Sequence, residues 1–295
     1  MLQNKNLFSS EGVTRSDRIL HTPSTFARQN LLYLQEAGRL KSLTPHRCVR
    51  ENLDSFLFLA VRSGSGELSV GGTEYKIKRG DCALINCREH YEHISSEEDA
   101  WELAWVHFNG KSAPAYYELF HKYNRGGNII HDSDLSAWNQ LIGSIMEKQG
   151  DKTMMAELEC GELLLHLLNA LIGAVVDAEA AAGEAKNRQM NEVREYLNEE
   201  YADSRVMEAV HEKFKTGIQD MEQRFRNFYG ITIPEYVENR RLNAAKELLR
   251  FTIKPVDEVA RSSGIMDVAL MQKLFRENEN LSAEEYRMKW AQWIK

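Results

Sequence analysis

Apolar and polar positions change their spacing along the chain, and the change separates a strand-like part from a helical part. Between residues 30 and 110, short apolar runs such as Leu57–Val61 and Ala83–Ile85 alternate with turn signals such as Gly64–Gly66 and Arg79–Asp81. Apolar runs of about 4–8 residues at this spacing predict an antiparallel β-barrel or sandwich.

Helical spacing begins at about residue 113. An amphipathic helix is predicted by apolar residues at a spacing of three and four, and further helices are expected up to about residue 176. These residues are Leu135, Trp138, Leu141, Ile142 and Ile145. The apolar stripe of the helices is wider than one face of a barrel covers, so we expect them to form a dimer contact. No run of about 18 apolar residues occurs, so no membrane span is expected.

The last third of the chain contains an internal repeat with a period of about 50 residues, and each copy is predicted to contain a short helix, a turn, a second helix and a closing turn. The alternative is a pair of similar α-hairpins stacked only for stability. The matching pairs are Glu208 and Glu258, Met221 and Met271, Phe225 and Phe275, Arg226 and Arg276, Glu235 and Glu285, and Tyr236 and Tyr286.

The charge, the cysteines and the first residues of the chain limit which partners it can bind and where in the cell it is expected. The net charge is −7, and residues 190–295 hold 17 Lys and Arg against 19 Asp and Glu, so contact with nucleic acid would need a local basic face. The four cysteines form no C-x-x-C pair, which argues against a zinc or thioredoxin-like site. The first residues lack the apolar core of a signal peptide, so a cytoplasmic location is expected.

Several stretches within residues 190–295 resemble the AraC/XylS family of bacterial transcription regulators. The resemblance implies two helix-turn-helix units joined by a long helix, and double-stranded DNA as the partner. The stretches are Val193–Tyr201 (the opening helix), Ile233–Arg250 (the joining helix), Val256–Ala260 (the first helix of the second unit), Phe275 and Glu285–Arg287.

A helix-turn-helix places its second helix in the major groove, which assigns DNA contacts to particular residues. In the first unit this helix is expected from about Ile218 to Phe228, with Met221 and Phe225 packed inward. The second unit keeps Gly264 at the turn but has Ala-Leu-Met where the family has Ser-Tyr-Phe, so its sequence preference is expected to differ. The predicted DNA-binding residues are Gln219, Glu222, Gln223, Arg224, Arg226, Gln272, Lys273 and Arg276; Lys213, Lys215, Arg240 and Arg241 are further candidates for phosphate contacts.

The N-terminal part, up to residue 110, resembles the sugar-sensing, cupin-like domain of the same family. The resemblance is carried by Gly64–Gly66, Lys78–Asp81 and the block Trp101–Gly110. It implies that Trp101 stacks on a sugar ring and that His93 and Arg50 bond its hydroxyl groups. The alternative is that Trp101 belongs to the core.

These observations predict an α+β protein with three segments. Residues 1–176 form a ligand-sensing and dimerisation domain with a cupin-like antiparallel β-barrel at about 25–110 and helices at about 113–176; residues 177–189 form a linker; residues 190–295 form an all-α DNA-binding domain. The expected function is a ligand-responsive, sequence-specific transcription regulator. It would respond to a small-molecule effector such as a sugar, form a homodimer and contact RNA polymerase.

Two other functions stay open. One is a cupin-type sugar-modifying enzyme with a helical tail, although the chain has no His-x-His for a metal, and we expect neither catalysis nor a cofactor. The other is a regulator that acts through a protein partner, which the acidic balance of the C-terminal part favours.

Overall fold

The computed structural model describes residues 13–150, 153–182 and 184–291. The chain divides into two compact units, an N-terminal unit of Met1–Ala181 and a C-terminal unit of Ala182–Lys295. The predicted linker at 177–189 falls at this junction. The backbone is helical up to Ala182 and again from Glu184, whereas Gly183 and the side chains of residues 177–187 lie outside the description.

The N-terminal unit contains two antiparallel sheets that face each other. One has the strand order β1-β2-β9-β4-β7-β10 and the other has the order β3-β8-β5-β6. The predicted strand-rich, antiparallel fold is confirmed. The strands in the described ranges are β1 (Thr14–Leu20), β2 (Tyr33–Ser42), β3 (Arg47–Arg50), β4 (Phe56–Ser63), β5 (Ser65–Val70), β6 (Thr73–Lys78), β7 (Cys82–Asn86), β8 (Tyr91–Ser95), β9 (Glu102–Asn109) and β10 (Ile129–Ile130).

Strand β4 shows why almost every apolar residue of the central strands is buried. Alternate side chains of a strand point to opposite faces of its sheet. Leu57 and Leu59 enter the core between the two sheets, whereas Phe56 and Phe58 enter a second core on the outer face of the six-stranded sheet. Because both faces are covered, the strand is a continuous apolar run.

Helices cover that outer face. Trp138, Leu141 and Ile145 of α3 and Leu164 and Leu168 of α4 pack against it, as the helical spacing predicts. The helices of this unit are α1 (Thr25–Asn30), α2 (Ala113–Tyr123), α3 (Leu135–Gln149) and α4 (Met154–Ala182).

The first strand was not predicted, because Thr-Arg-Ser-Asp-Arg-Ile-Leu has no alternation of apolar residues. It pairs with β2 at the edge of the six-stranded sheet. Just beyond its end, a buried polar cluster ties it to α4. Glu157 accepts hydrogen bonds from the backbone N of Ser24 at 2.7 Å and its hydroxyl at 2.5 Å, and lies 3.0 Å from His21 Nε2. Gln149 Nε2 lies 2.9 Å from His21 Nδ1. The end of β1 is thereby fixed to α4.

The C-terminal unit repeats its three-helix pattern with the offset that the sequence predicts. Val206 and Val256 each start the first helix of a copy, Ile218 and Val268 the second, and Ile233 and Ala283 the third. The helices are α5 (Glu184–Glu200), α6 (Val206–Phe214), α7 (Ile218–Tyr229), α8 (Ile233–Phe251), α9 (Val256–Ser262), α10 (Val268–Glu279) and α11 (Ala283–Trp290).

Each copy has its own core, and α8 contributes to both. The first core contains Phe225, and the second contains Phe275 at the equivalent position. The Phe225 ring lies 5.5 Å from the ring of Tyr236, and Phe275 lies 5.2 Å from Tyr286, both edge-to-face. Because the same ring pair recurs in the same geometry, the prediction of two copies of one unit is confirmed.

Candidate functional site

The N-terminal unit contains a cavity of about 430 Å³ between its two sheets, within the range of small-molecule sites. Its wall combines hydrocarbon side chains with a few polar groups. The lining residues come from β1 and its preceding residue, β2, β3 with His46, β4, β8 and β9: Val13, Thr14, Arg18, Glu36, Leu40, His46, Arg47, Cys48, Arg50, Leu57, Leu59, Tyr91, His93, Leu103, Trp105 and His107.

The structure corrects the predicted role of Trp101. Its ring is 0% exposed within the core between the sheets, and a Cβ on Gly66 would lie 2.2 Å from it. A ring with no exposed surface offers no face to a ligand. Trp105 lies on the cavity wall instead, with the Arg18 guanidinium 5.4 Å from its ring centroid. The aromatic side chain available to a ligand is therefore Trp105.

The other two predicted ligand residues, Arg50 and His93, lie together on the cavity wall. Burial, followed by the charges of His46, Arg50 and His107, lowers the pKa of His93 to about 4. Burial and the charge of Arg50 lower the pKa of His107 to about 4 as well. Both rings are therefore uncharged at neutral pH and can each accept one hydrogen bond and donate one.

The cavity shows no arrangement suited to a metal ion. His46 and His93 have ring centroids 6.0 Å apart, and His46 Nδ1 lies 2.9 Å from Ser42 Oγ while His107 Nδ1 lies 2.9 Å from Ser55 Oγ. Throughout the ranges that the structure describes, no group of three or more His, Cys, Asp or Glu is placed to hold a metal.

In the C-terminal unit, α7 and α10 present matching exposed faces, and their inward residues Met221, Phe225, Met271 and Phe275 are all buried. Exposed positions on α7 recur on α10 at the equivalent positions of the repeat. The pairs are Gln219 and Ala269, Gln223 and Lys273, and Arg226 and Arg276. Gln219, Gln223 and Arg226 form one exposed face on α7. Ala269, Lys273 and Arg276 form the matching face on α10, where Ala269 alone of the three is apolar, and we call these the two reading faces.

Glu222 and Gln272, which were predicted to read bases, lie beside these faces, and each side chain has a partner within the unit. Glu222 Oε2 accepts a hydrogen bond from the backbone N of Ile233 at 3.3 Å. Gln272 Oε1 accepts one from the backbone N of Ala283 at 3.0 Å. Both donors lie in the first turn of the following helix, where backbone N–H groups have no partner within the helix. Each side chain therefore fixes its helix to the next one.

Two predicted phosphate ligands are also bound within the unit. Arg224 forms an ion pair with Asp220 and a hydrogen bond of 3.3 Å to Gln189 Oε1. Arg241 donates to the carbonyl oxygens of Tyr201 and Asp203 at 2.7 and 2.8 Å. Their cationic groups fix the loop and helices of this unit, so the exposed Arg226 and Arg276 are better placed for phosphate contact.

Comparison with known proteins assigns both units. A model of the AraC-like ligand binding domain matches residues 34–168, and a model of a helix-turn-helix domain matches residues 210–289. The chain belongs to the AraC/XylS family. It is a ligand-responsive transcription regulator, as the sequence predicts.

A curated relative of this regulator is the HTH-type transcriptional activator RhaS of Salmonella schwarzengrund. It is 26% identical over 235 residues, covering 77% of this chain and 83% of the relative. Among solved structures, the DNA-binding domain of AdpA in complex with a target DNA is 23% identical, with a TM-score of 0.33, covering 34% of this chain and 91% of that one. The C-terminal domain of the response regulator yesN from Fusobacterium nucleatum is 26% identical, with a TM-score of 0.31, and the match covers 35% and 98%.

The structure adds two apolar residues that were not predicted near the reading faces of this regulator. Ile218 is 60% exposed at the start of α7, and Met266 is 85% exposed in the turn before α10. The spacing does not signal Ile218, which lies three positions before Met221 and so fits the inward face, whereas Met266 precedes the first residue of α10 and lies outside the inward spacing. Exposed apolar side chains at the start of such a helix can contact thymine methyl groups.

Proposed function

We propose that this regulator binds a small-molecule effector, a sugar or a related compound, in the cavity between its sheets and reads specific DNA through its two reading faces. The observation that carries the proposal is the recurrence of exposed polar residues at matching positions on α7 and α10. The polar and aromatic wall of the cavity supports the effector, with Trp105, His93 and Arg50 as its contacts.

The first prediction separates the residues that read bases from those that hold the helices in place. Gln223→Ala should weaken binding to the specific site by about 1–3 kcal/mol and change binding to random DNA much less, because a carboxamide can form two hydrogen bonds to adenine. Gel-shift titrations on both DNAs measure the difference. Equal losses on the two DNAs would show that Gln223 does not contact bases.

Glu222→Ala is the matched comparison on the adjacent position. It leaves the backbone N of Ile233 without its acceptor, so the unit should lose about 1–2 kcal/mol of unfolding free energy. Affinity for both DNAs should then fall together. A loss of affinity for the specific site alone would instead show that Glu222 contacts bases.

A second copy of the chain is proposed to pack on α4. By length and composition alone, Met154–Val176 is long and apolar enough to cross a membrane. Only 39% of its apolar stretch is buried within the unit. Its buried leucines pack on the outer face of the sheet. Leu158, Leu165 and Ile172 are half-buried or exposed and recur at every seventh position, so they form an apolar seam that matches one of the two apolar positions per heptad of a coiled coil. This seam favours another helix of the same kind over lipid.

Leu165→Glu should convert the dimer to a monomer, because it places a charge in the apolar seam. Light scattering after size-exclusion chromatography should give twice the 33.9 kDa of one chain for the wild type and 33.9 kDa for the variant. Leu119→Glu on α2 is the control, since Leu119 is 39% exposed and Leu165 is 37% exposed. A wild-type mass of one chain, or a dimer that survives Leu165→Glu, rejects this interface.

We also propose that the protein acts in the cytoplasm as an activator that contacts RNA polymerase and has no catalytic activity. The support is its family and the name of its relatives, which are transcriptional activators. The test is a gel shift on the DNA upstream of its own gene, with and without each of a panel of mono- and disaccharides. Binding to that DNA, altered by one compound, supports the proposal; a protein that binds neither DNA nor any compound rejects it and favours action through a protein partner.

A further inference from the structure

The arginines and the glutamate that line the cavity are paired, with a single exception among the described residues. Arg18 pairs with Glu36 at 3.2 Å, and Arg47 pairs with Glu92 at 2.6 Å. Beside the cavity, Arg88 pairs with Asp54, whereas Glu51 lies 3.6 Å from His90, which matches its charge only when protonated. Glu36, Glu92 and Asp54 are therefore each already paired with an arginine other than Arg50.

The exception is Arg50, at the end of β3. Among the described residues its guanidinium has neither a hydrogen bond nor an ion pair, and it lies where the cavity meets an adjoining surface groove. The groups that its charge reaches are Cys87, Tyr91, His93 and His107. All four are uncharged at neutral pH, because burial raises the pKa of the thiol and the phenol and lowers the pKa of the two histidines. None of these four groups balances the charge of Arg50, which is exposed to solvent.

The hydrogen-bonding groups of the cavity wall include few free acceptors. Sugar hydroxyls donate as well as accept, so a site for a neutral sugar needs several free acceptors, and the uncharged rings of His93 and His107 supply at most one each. The one carboxylate that lines the cavity within the described residues, Glu36, is bound to Arg18. The buried Nδ1 of His93 has no hydrogen-bond partner within the described part of the chain. The rest of the wall is largely hydrocarbon, from leucines such as Leu57 and Leu103.

We infer that the effector is a monoanion, a small carboxylic acid whose carboxylate pairs with Arg50 and whose body lies between Trp105, His93 and the leucines. The inference rests on the proposed effector site and specifies the ligand class. Arginine suits a carboxylate because its planar guanidinium can donate two parallel hydrogen bonds to the two oxygens. The carboxylate would supply the negative charge that the wall lacks.

The test compares acids with neutral compounds of matched shape on the full chain. The pairs are D-glucuronate with D-glucose, D-galacturonate with D-galactose, and benzoate with benzyl alcohol, all at equal ionic strength. At least one acid should raise the thermal midpoint, and calorimetry should give it a Kd at least about tenfold lower than that of its neutral partner. Arg50→Gln should abolish that difference. Arg79→Gln, which removes the same charge from an exposed turn outside the cavity, should keep it.

The possible outcomes distinguish this inference from the proposed function. A neutral sugar that binds as tightly as its acid, or an acid that Arg50→Gln binds as well as the wild type, overturns the inference and leaves the effector site in place. If no compound of either panel, the acid–neutral pairs or the saccharides, raises the thermal midpoint, both the ligand class and the effector site are rejected.

Discussion

Trp101→Ala is expected to lower the free energy of unfolding of the N-terminal unit by about 3–5 kcal/mol, whereas Trp105→Ala should lower it by only about 1 kcal/mol. Trp101 is fully buried, and its ring fills the space beside Gly66, so its removal leaves a cavity in the core. Trp105 is half-buried and borders a cavity that already exists. Removing it deletes contacts on one side only.

Hydrogen exchange across a urea series measures the two effects within the full chain. Peptides of β4 and β5 report the N-terminal unit, so the C-terminal unit does not obscure the result. Once the effector is identified by thermal shift, its binding should be weakened by Trp105→Ala. Trp105→Phe should bind it better than Trp105→Ala does, because phenylalanine retains an aromatic face. If Trp105→Ala proves as destabilising as Trp101→Ala, Trp105 is a core residue and the assigned cavity wall is wrong.

Gly264→Ala should disrupt the second helix-turn-helix copy and abolish specific DNA binding. Gly264 has φ +75°, and an added Cβ would lie 2.5 Å from the Cα of Ala202. The clash is with backbone, so a change of rotamer cannot relieve it. Left-handed strain and overpacking together should cost about 3–5 kcal/mol.

Gly230→Ala is the control that isolates the backbone term. Gly230 has φ +78°, but an added Cβ would meet no neighbouring heavy atom within 4 Å. Only the left-handed penalty of about 1–2 kcal/mol therefore applies. Urea unfolding followed by circular dichroism and gel shifts on the specific site test both variants. Equal destabilisation by the two substitutions would show that the contact with Ala202 contributes nothing.

The sequence predicts most of the C-terminal unit because helical spacing and the repeat support each other. Met221 and Phe225 identify the inward face of α7, and their repeat partners identify that of α10. Helical spacing does not show where a flanking polar side chain turns, which is why Glu222 and Gln272 were expected to face DNA. Their common position in the repeat, ahead of the helix starts at Ile233 and Ala283, is the signal that could have revealed their role.

In the N-terminal unit the pattern predicts the central strands but neither β1 nor the open end of the space between the sheets. Trp101 and Trp105 are an even number of positions apart, so strand alternation places both on the same side, and both pack against the inner core. Which end of that core is filled depends on neighbours such as Gly66 that come from other strands. The sequence of the Trp101–Gly110 block alone could not distinguish the core tryptophan from the one on the cavity wall.

The cluster around Glu157 has a thermodynamic consequence for the whole N-terminal unit. Strand β1 contributes Thr14 and Arg18 to the cavity wall, and the cluster just past its end is fixed to α4. Linkage between two sites is reciprocal. If an effector holds β1 in place and thereby favours the hydrogen bonds to Glu157, then anything that favours the same position of α4, including a second chain packed along it, raises effector affinity by an equal factor. Effector affinity would then depend on protein concentration across the range in which the dimer forms.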